Sequence, residues 1–167
     1  SAADLLLDFT NGLRFELEPG GTLWRVGSSR AGAQYKGRQP DFDVERGLPY
    51  VSSQHAEITR SDSGELFVRL LSTGHGLFLD RVRGSDGSKE RIPYGAEPAD
   101  LQHGDRLVIG GRVRITGQAG YGEHGFALLL CSEKDEAKYR AEWEQHTGAR
   151  AAELPTNHLL QAAAADG

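Results

Sequence analysis

The stretch "HAEITRSDSGELFVRLL" (His55–Leu71) contains two short alternating segments joined by a polar turn. Apolar and polar side chains alternate in "HAEITR" and in "ELFVRLL", as in strands with one buried face. The intervening Ser, Asp and Gly residues favour a tight reversal of the chain. The stretch therefore predicts a β-hairpin.

Segments of the same kind recur on both sides of this hairpin. "LRFEL" (Leu13–Leu17) has a strict period of two residues. Further examples are "TLWRVG", "GLFLDRV", "DRLVIGGRVRIT" and "GFALLL", which begin at Thr22, Gly76, Asp105 and Gly125, with a turn expected at Gly110 and Gly111. Many short strands in a chain with 22 glycines predict an all-β fold, an antiparallel sandwich with a C-terminal helical extension.

The C-terminal part has a different pattern. "SEKDEAKYRAEWEQHTG" begins with Ser132 as a helix N-cap and has acidic residues in its first turn. Tyr139 and Trp143 lie one turn apart, so they are expected to pack on the sandwich, with docking of a partner as the alternative. The predicted division is a sandwich over residues 1–132 and a helical tail over 133–167.

Two long polar segments interrupt the strand pattern. They run from Val26 to Asp43 and from Arg83 to Asp100. Long loops on a β-framework are usually functional or tolerated insertions.

Composition limits the classes of partner. The formal net charge is −5, without a basic block, so nucleic acid is not an expected partner. No apolar run is long enough for a membrane-spanning helix, so direct membrane insertion is not expected. The one cysteine, Cys131, cannot form an internal disulfide, and a buried free thiol in a reducing, intracellular compartment is expected.

Catalytic and cofactor motifs are weak. Ser52, His55 and Asp105 could supply a hydrolase triad in principle, but no G-x-S-x-G nucleophile turn is present. "GYGEHG" (residues 120–125) matches a dinucleotide motif only formally, because "FALLLC" after it reads as a strand rather than a helix. The six histidines are scattered without zinc-ligand spacing. No catalytic residue, cofactor or metal is therefore predicted.

Three polar segments could meet at one end of the sandwich. They are "VGSSR" after one strand, "VSSQH" before another and "STGHGLFLD" before a third. Hydroxyl, imidazole, guanidinium and backbone N–H donors that converge on one point suit a phosphate. The alternative is that all three are ordinary turns.

The order of these segments resembles that of the forkhead-associated (FHA) domain family, the phosphothreonine-binding β-sandwiches. The family pattern is a Gly-Arg, then Ser-x-x-His, then Asn-Gly-Thr, then Gly-Asp before an apolar strand. The matching segments here are "RVGS", "SSQHAEI", "STGHGLFL" and "LQHGDRLVIG". The resemblance extends over about Leu13 to Leu130. "DFDVERGLPYVSSQHAEI" also resembles the subgroup found in fungal and animal scaffold proteins.

The resemblance implies a role for individual residues. Ser52 would donate its hydroxyl to the phosphate, and His75, in place of the family Asn, would hold the peptide backbone, followed by Gly76. His55 would brace the binding loops rather than take part in catalysis. The residues matched to structural positions are Gly27, His55, Gly104 and Asp105.

The sequence departs from the family where a positive charge is expected. The phosphate-binding Arg of the family is replaced by Ser28, and Ser53 stands where a basic residue is common. Each missing charge-assisted hydrogen bond would remove about 1.5–3 kcal/mol of binding energy. Arg30 is the nearest cation that could substitute, with Lys36 and Arg38 in the same loop. The candidate phosphopeptide-binding residues are Ser28, Arg30, Ser52, Ser53, Thr73, His75 and Gly76.

Two interpretations follow from the resemblance. The first is an interaction module in intracellular signalling whose partner is a protein or peptide phosphorylated on threonine. The second is a divergent FHA domain without phosphate recognition, which acts as a scaffold or dimerisation unit. In that case a homodimer through the C-terminal helix, with Tyr139 and Trp143, is one option.

Overall fold

The strands of the chain form two stacked sheets. The structure is a computed structural model that describes residues 3–9, 11–30, 39–45, 51–83, 86–109 and 126–147, without the side chains of 82–89 and 146–147. The strands are β1 Asp4–Asp8, β2 Leu13–Leu17, β3 Leu23–Gly27, β4 Phe42–Asp43, β5 Ala56–Arg60, β6 Leu66–Leu70, β7 Leu77–Arg83, β8 Asp86–Arg91, β9 Ala99–Leu101, β10 Arg106–Ile109 and β11 Phe126–Ser132. A 3-10 turn, Glu133–Asp135, leads into helix α1, Glu136–Thr147.

Within the described residues, the two sheets have six and five strands. The first has the order β2-β1-β11-β10-β7-β8 and the second β4-β3-β5-β6-β9. Neighbouring strands are antiparallel except for β3 and β4, where Val26 and Gly27 pair in parallel with Phe42 and Asp43. The predicted hairpin of β5 and β6 is present, with Ala56 opposite Leu70. The predicted all-β sandwich with a C-terminal helix is confirmed.

The main core lies between the sheets. Alternating strand residues such as Val26, Ile58 and Leu128 are fully buried there. β1 does not alternate, because "LLL" (residues 5–7) is buried on both faces. Leu6 points into the main core, whereas Leu5 and Leu7 join a second apolar cluster on the outer face of the first sheet.

Helix α1 covers this second cluster. Tyr139 packs against it, and the Trp143 ring stacks on Phe9 with 5.3 Å between centroids. Arg14 of β2 also pairs with Glu136 at 3.0 Å. The expectation that Tyr139 and Trp143 pack on the sandwich is therefore confirmed, and the chain's own sheet occupies this face of the helix.

Cys131 belongs to the same cluster and is a buried free thiol. Burial, with the nearby carboxylates Glu136 and Asp135 adding to it, raises the thiol pKa to about 11. The thiol is therefore protonated and weakly nucleophilic at neutral pH.

Some local expectations differ from the structure. The segment from Arg83 to Asp100, expected to be a loop, contains β8 and the start of β9. Ser132 precedes the helical segment, but its hydroxyl donates to the Asp135 carboxylate at 3.0 Å instead of accepting a backbone N–H. The expected turn at Gly110 and Gly111, the "GYGEHG" loop and everything after Thr147 lie outside the described residues.

Within the part of the chain that the structure describes, no helix combines the length and apolar character needed to cross a bilayer.

Candidate functional site

The three polar segments open at the same end of the sandwich. β3 ends, β5 begins and β6 ends there because these neighbouring strands are antiparallel. The start of β7 lies beside them, since the His55 ring is within hydrogen-bond distance of the Gly76 carbonyl. We call this the apical end and define it by residues 28–30, 51–55 and 71–76. The basal end, opposite, consists of the turns 18–22, 61–65 and 102–105.

His55 connects two of the apical segments. Its ring is fully buried; Nδ1 accepts the Ser52 N–H at 3.1 Å, and Nε2 lies 2.8 Å from the Gly76 carbonyl oxygen. Since Nδ1 is an acceptor, Nε2 carries the proton and donates it to Gly76. Burial lowers the His55 pKa to about 4, the bond to Gly76 opposes this shift, and the nearby His75 adds to it. His55 is therefore a neutral brace at pH 7.

The Ser52 hydroxyl is held by a second buried group, Ser72. The two Oγ atoms are 2.7 Å apart, and Ser72 Oγ also accepts the N–H groups of Gly74 at 3.3 Å and His75 at 3.1 Å. With both its lone pairs used in this way, Ser72 must donate its own proton to Ser52. This leaves the Ser52 O–H directed away from Ser72, and Ser52 is half-buried at the surface of the end.

The 72–76 turn brings His75 close to Ser52. The half-buried His75 ring lies over His55, with 6.3 Å between centroids and 14° between planes. Thr73 is exposed at the tip, and Gly76 is half-buried with its carbonyl held by His55. Ser72 was not singled out from the sequence; the "STGH" run is the available signal, since Ser often accepts backbone N–H groups in such turns.

Gly27 and Ser28 hold the first apical segment against the second. A methyl group on Gly27 would overlap the carbonyl of Ser53, so only glycine fits without a backbone shift. The Ser28 N–H donates to the Ser52 carbonyl at 3.1 Å, and its Oγ accepts the Arg30 N–H at 3.2 Å. The Ser28 side chain is fully buried. The expectation that Ser28 itself contacts a ligand stays a prediction for a residue that is buried in this structure, whereas Ser53 is half-exposed.

Among the described residues of the apical end, Arg30 is the cation, and it is exposed. Its neighbour Asp43 accepts the N–H groups of Ser29 at 3.0 Å and Glu45 at 2.9 Å on one carboxylate oxygen. Burial raises the Asp43 pKa, but hydrogen bonds from Ser29 and Glu45 and the Arg30 charge outweigh it, so the net pKa is lowered. Asp43 thus ties together the two ends of the loop that carries Arg30. Lys36 and Arg38 lie outside the described residues.

Gly104 and Asp105 belong to the basal end. Gly104 has a left-handed φ of +94° and donates its N–H to Leu130 at 2.7 Å. The buried Asp105 carboxylate accepts the Gln102 N–H at 2.8 Å and pairs with Arg81 at 3.4 Å. Both stabilise a turn there. A triad of Ser52, His55 and Asp105 is thus not assembled, since Asp105 is at the opposite end and His55 bonds the Ser52 backbone rather than its hydroxyl.

The apical end therefore presents hydroxyl, imidazole and guanidinium groups on a frame of buried hydrogen bonds. Such donors suit an anionic ligand. Among the described residues, no group of three or more His, Cys, Asp or Glu side chains is placed to hold a metal ion.

The chain is similar to known proteins of one family. The family model described as the FHA domain matches residues 24–110. An "Engineered FHA with Myc-pTBD peptide" is similar in structure, with a TM-score of 0.51, 16% identity, and coverage of 83% of this chain and 98% of that one. The N-terminal FHA domain of S. cerevisiae Rad53p, solved with a phosphothreonine peptide, has a TM-score of 0.52, 15% identity and coverage of 82% and 98%. No curated protein sequence matches the chain.

Proposed function

Since the chain belongs to the FHA domain family, we propose that it binds partner proteins through a phosphorylated threonine at its apical end. The Rad53p domain was solved with a phosphothreonine peptide, but at 15% identity that likeness establishes only the fold. Support for the ligand comes from the geometry of the apical residues. FHA domains in general are interaction modules, and the proposal is one of binding, not catalysis.

The direction of the Ser52 hydroxyl carries the proposal. Ser72 donates to Ser52 Oγ because its own lone pairs accept the N–H groups of Gly74 and His75. The Ser52 proton is then left for an acceptor outside the network of described residues. Its oxygen also receives a hydrogen bond, which strengthens the outward donor through cooperative polarisation. A phosphate oxygen is a suitable acceptor for such a donor.

The hydrogen bonds around Ser52 reduce the entropy cost of ordering the apical loops when a ligand binds. His55 fixes the Ser52 backbone relative to Gly76, and the Ser28 N–H fixes the Ser52 carbonyl. Loops that are already held in position lose little conformational entropy when a ligand binds. The half-buried His75, in the same hydrogen-bonded turn, is placed to contact the peptide next to the phosphate.

Arg30 supplies the positive charge in this proposal. Its backbone N–H is anchored on Ser28 Oγ, while its side chain is exposed and close enough to Asp43 to affect that carboxyl group. A charge-assisted bond from Arg30 to phosphate contributes about 1.5–3 kcal/mol. The Asp43 carboxylate and the ordering of the Arg30 side chain both subtract from this gain.

The second candidate function is supported by the position of Ser28. The residue after Gly27 carries no charge and is fully buried, whereas the family pattern has Arg at this place. A domain without that Arg could serve as a phosphate-independent scaffold. Dimerisation through Tyr139 and Trp143 would require α1 to leave the sheet on which it packs, so a scaffold that binds by another face is the better form of this alternative.

Paired peptides that differ only in threonine phosphorylation separate the two functions. We expect a peptide library to contain sequences that bind at least about tenfold more tightly when phosphorylated. One charge-assisted hydrogen bond to the phosphate is enough to give a difference of this size. Calorimetry or fluorescence anisotropy gives the dissociation constants. Equal binding of both forms would support the scaffold function and remove the phosphothreonine proposal.

Three variants locate the binding site. Ser52→Ala and Arg30→Ala are each expected to weaken phosphopeptide binding by about 1–3 kcal/mol, because each removes one phosphate donor. Arg106→Ala is the matched control, since Arg106 is exposed at the basal start of β10. Loss of affinity in the control, or none in the two apical variants, would place the phosphate elsewhere.

A further inference from the structure

Tyr94 is an exposed aromatic residue in the connection between β8 and β9. Its side chain is 61% exposed, and Leu23, at 42%, is the other exposed large apolar side chain among the described residues. The two lie in different parts of the molecule. Leu23 begins β3 at the basal end, whereas β8 ends on the apical side, opposite the start of β7.

The segment that carries Tyr94 starts directly beside the apical turn. Ile92 is buried, and its N–H donates to the Leu77 carbonyl at 2.9 Å. Leu77 follows Gly76, whose carbonyl His55 holds. Thus His55, Gly76, Leu77 and Ile92 form a short connected path from the Ser52 backbone to the base of the Tyr94 segment.

A β-turn fixes the backbone of Tyr94. The Ala96 N–H donates to the Pro93 carbonyl at 3.2 Å, and Gly95 has a φ of +86°. This is the pattern of a type II turn with glycine at its third position, which leaves Tyr94 at the second. The Tyr94 backbone is therefore ordered before any ligand arrives, and its neighbours Pro93, Gly95 and Ala96 are exposed and uncharged.

We infer that Tyr94 selects phosphopeptides that carry an apolar side chain near the phosphothreonine. This inference rests on the proposed function, because binding of the peptide's phosphothreonine to Ser52 fixes the position of the peptide. The Tyr94 segment starts beside the apical turn, and an extended peptide advances about 3.3 Å per residue, so the proposed contact is with a side chain within about five residues of the phosphothreonine. Tyrosine is an effective contact residue because its ring covers a large apolar area at a small entropy cost.

A position-scanned peptide set tests this inference. Each position within about five residues of a central phosphothreonine is replaced in turn by Leu, Phe, Gly or Glu. Dissociation constants are measured for the wild-type chain, Tyr94→Ala, Tyr94→Phe and Leu23→Ala. Leu23→Ala is the matched control, because it removes an exposed apolar side chain at the basal end.

We expect one position at which the wild type prefers Leu or Phe over Gly by about five- to tenfold. Tyr94→Ala is expected to lose this preference and keep its affinity for the Gly peptide, whereas Tyr94→Phe and Leu23→Ala keep both. Since Tyr94 is exposed, Tyr94→Ala is expected to keep the wild-type melting temperature. That measurement is an independent check that the variant is folded.

The failures of the two proposals are distinguishable. If the wild type binds phosphopeptides with an apolar preference that Tyr94→Ala retains, or with no apolar preference, the role of Tyr94 is wrong and phosphothreonine binding stands. If the wild type distinguishes no phosphopeptide from its unphosphorylated form, both proposals are wrong.

Discussion

The two ends of the sandwich use polar side chains in opposite ways. At the basal end, the Arg60 guanidinium donates to the carbonyls of Glu18, Pro19 and Gly21 and pairs with Asp4 at 3.0 Å. These donors are hydrogen-bonded within the chain. At the apical end, buried groups such as His55 and Ser72 hold the loops, and the Ser52 hydroxyl and the Arg30 side chain face outward.

This difference separates an end whose arginine donates within the chain from an end whose hydroxyl and guanidinium groups face outward. An arginine whose terminal nitrogens donate to backbone carbonyls and to a carboxylate has little to offer a phosphate. A hydroxyl that is polarised from behind by a buried donor keeps its own proton available. The number of polar residues at an end is thus a poor guide to binding, and the direction of their hydrogen bonds is a better one.

Removal of the basal arginine is expected to have the largest effect on stability. Arg60→Met leaves several carbonyls without a donor and the Asp4 carboxylate with His103 alone, so we expect a loss of about 3–4 kcal/mol in the free energy of unfolding. Chemical denaturation measures this loss. Arg30→Ala is the apical counterpart and is expected to cost less than about 0.5 kcal/mol. Similar losses of unfolding free energy for both variants would show that the two ends do not differ in how their arginines contribute to stability.

Removal of the apical brace follows. His55→Ala empties a buried site and leaves the Ser52 N–H and the Gly76 carbonyl unpaired, which is expected to cost about 3 kcal/mol. His103→Ala is the basal control: that side chain is 48% exposed, and its pairing with Asp4 contributes about 0–1 kcal/mol. An unchanged melting temperature for His55→Ala would contradict its role as a brace.

The same histidine predicts a pH dependence. Its pKa is about 4 in the folded chain against an ordinary value of 6.5, so the unfolded chain binds more protons between these values. The stability that neutral His55 contributes is complete above about pH 6.5 and is lost as the pH falls towards 4, a change of about 2–3 kcal/mol. Denaturation curves across this range measure it, and His55→Gln is expected to show a shallower slope than the wild type.

Substitution of Gly27, which packs the first apical segment against the second, is expected to have the smallest of these effects on stability. Gly27→Ala places a methyl group against the Ser53 carbonyl, a backbone atom that cannot rotate away, and is expected to cost about 2 kcal/mol. Gly74→Ala is the control in the same end, because a methyl group there meets nothing within 4 Å. Equal melting temperatures for the two variants would show that the Gly27 loop gives way without strain.

Strands with one buried face could be predicted from the sequence, and so could β11, a continuous apolar run that is buried on both faces. β1 and β8 could not. The period of two in "LRFEL" corresponds to β2, and "ELFVRLL" contains β6. β1 was not predicted, because α1 buries Leu5 and Leu7 on the face that would otherwise be polar. β8, "DGSKER", carries no apolar residue, so its pairing with β7 leaves no hydrophobic pattern to read.

The candidate site shows a similar limit. The resemblance pointed to Ser52, His55 and His75, which the structure places at one end. It could not show that Ser28 is buried, because burial of a small polar residue depends on the backbone of the facing segment. Ser72 and Asp43 act through backbone N–H groups that the chain brings together only when folded, so neither was singled out.

The shielded imidazole of His55 also provides a spectroscopic reporter. Its Nε2 proton is bonded to Gly76 and is removed from solvent, so it is expected to exchange slowly enough to give a separate resonance in a proton NMR spectrum. The frequency of that resonance depends on the length of a single bond between two loops. A titration followed at this one signal would therefore report, in the unmodified protein, whether a ligand tightens or loosens the frame beneath it.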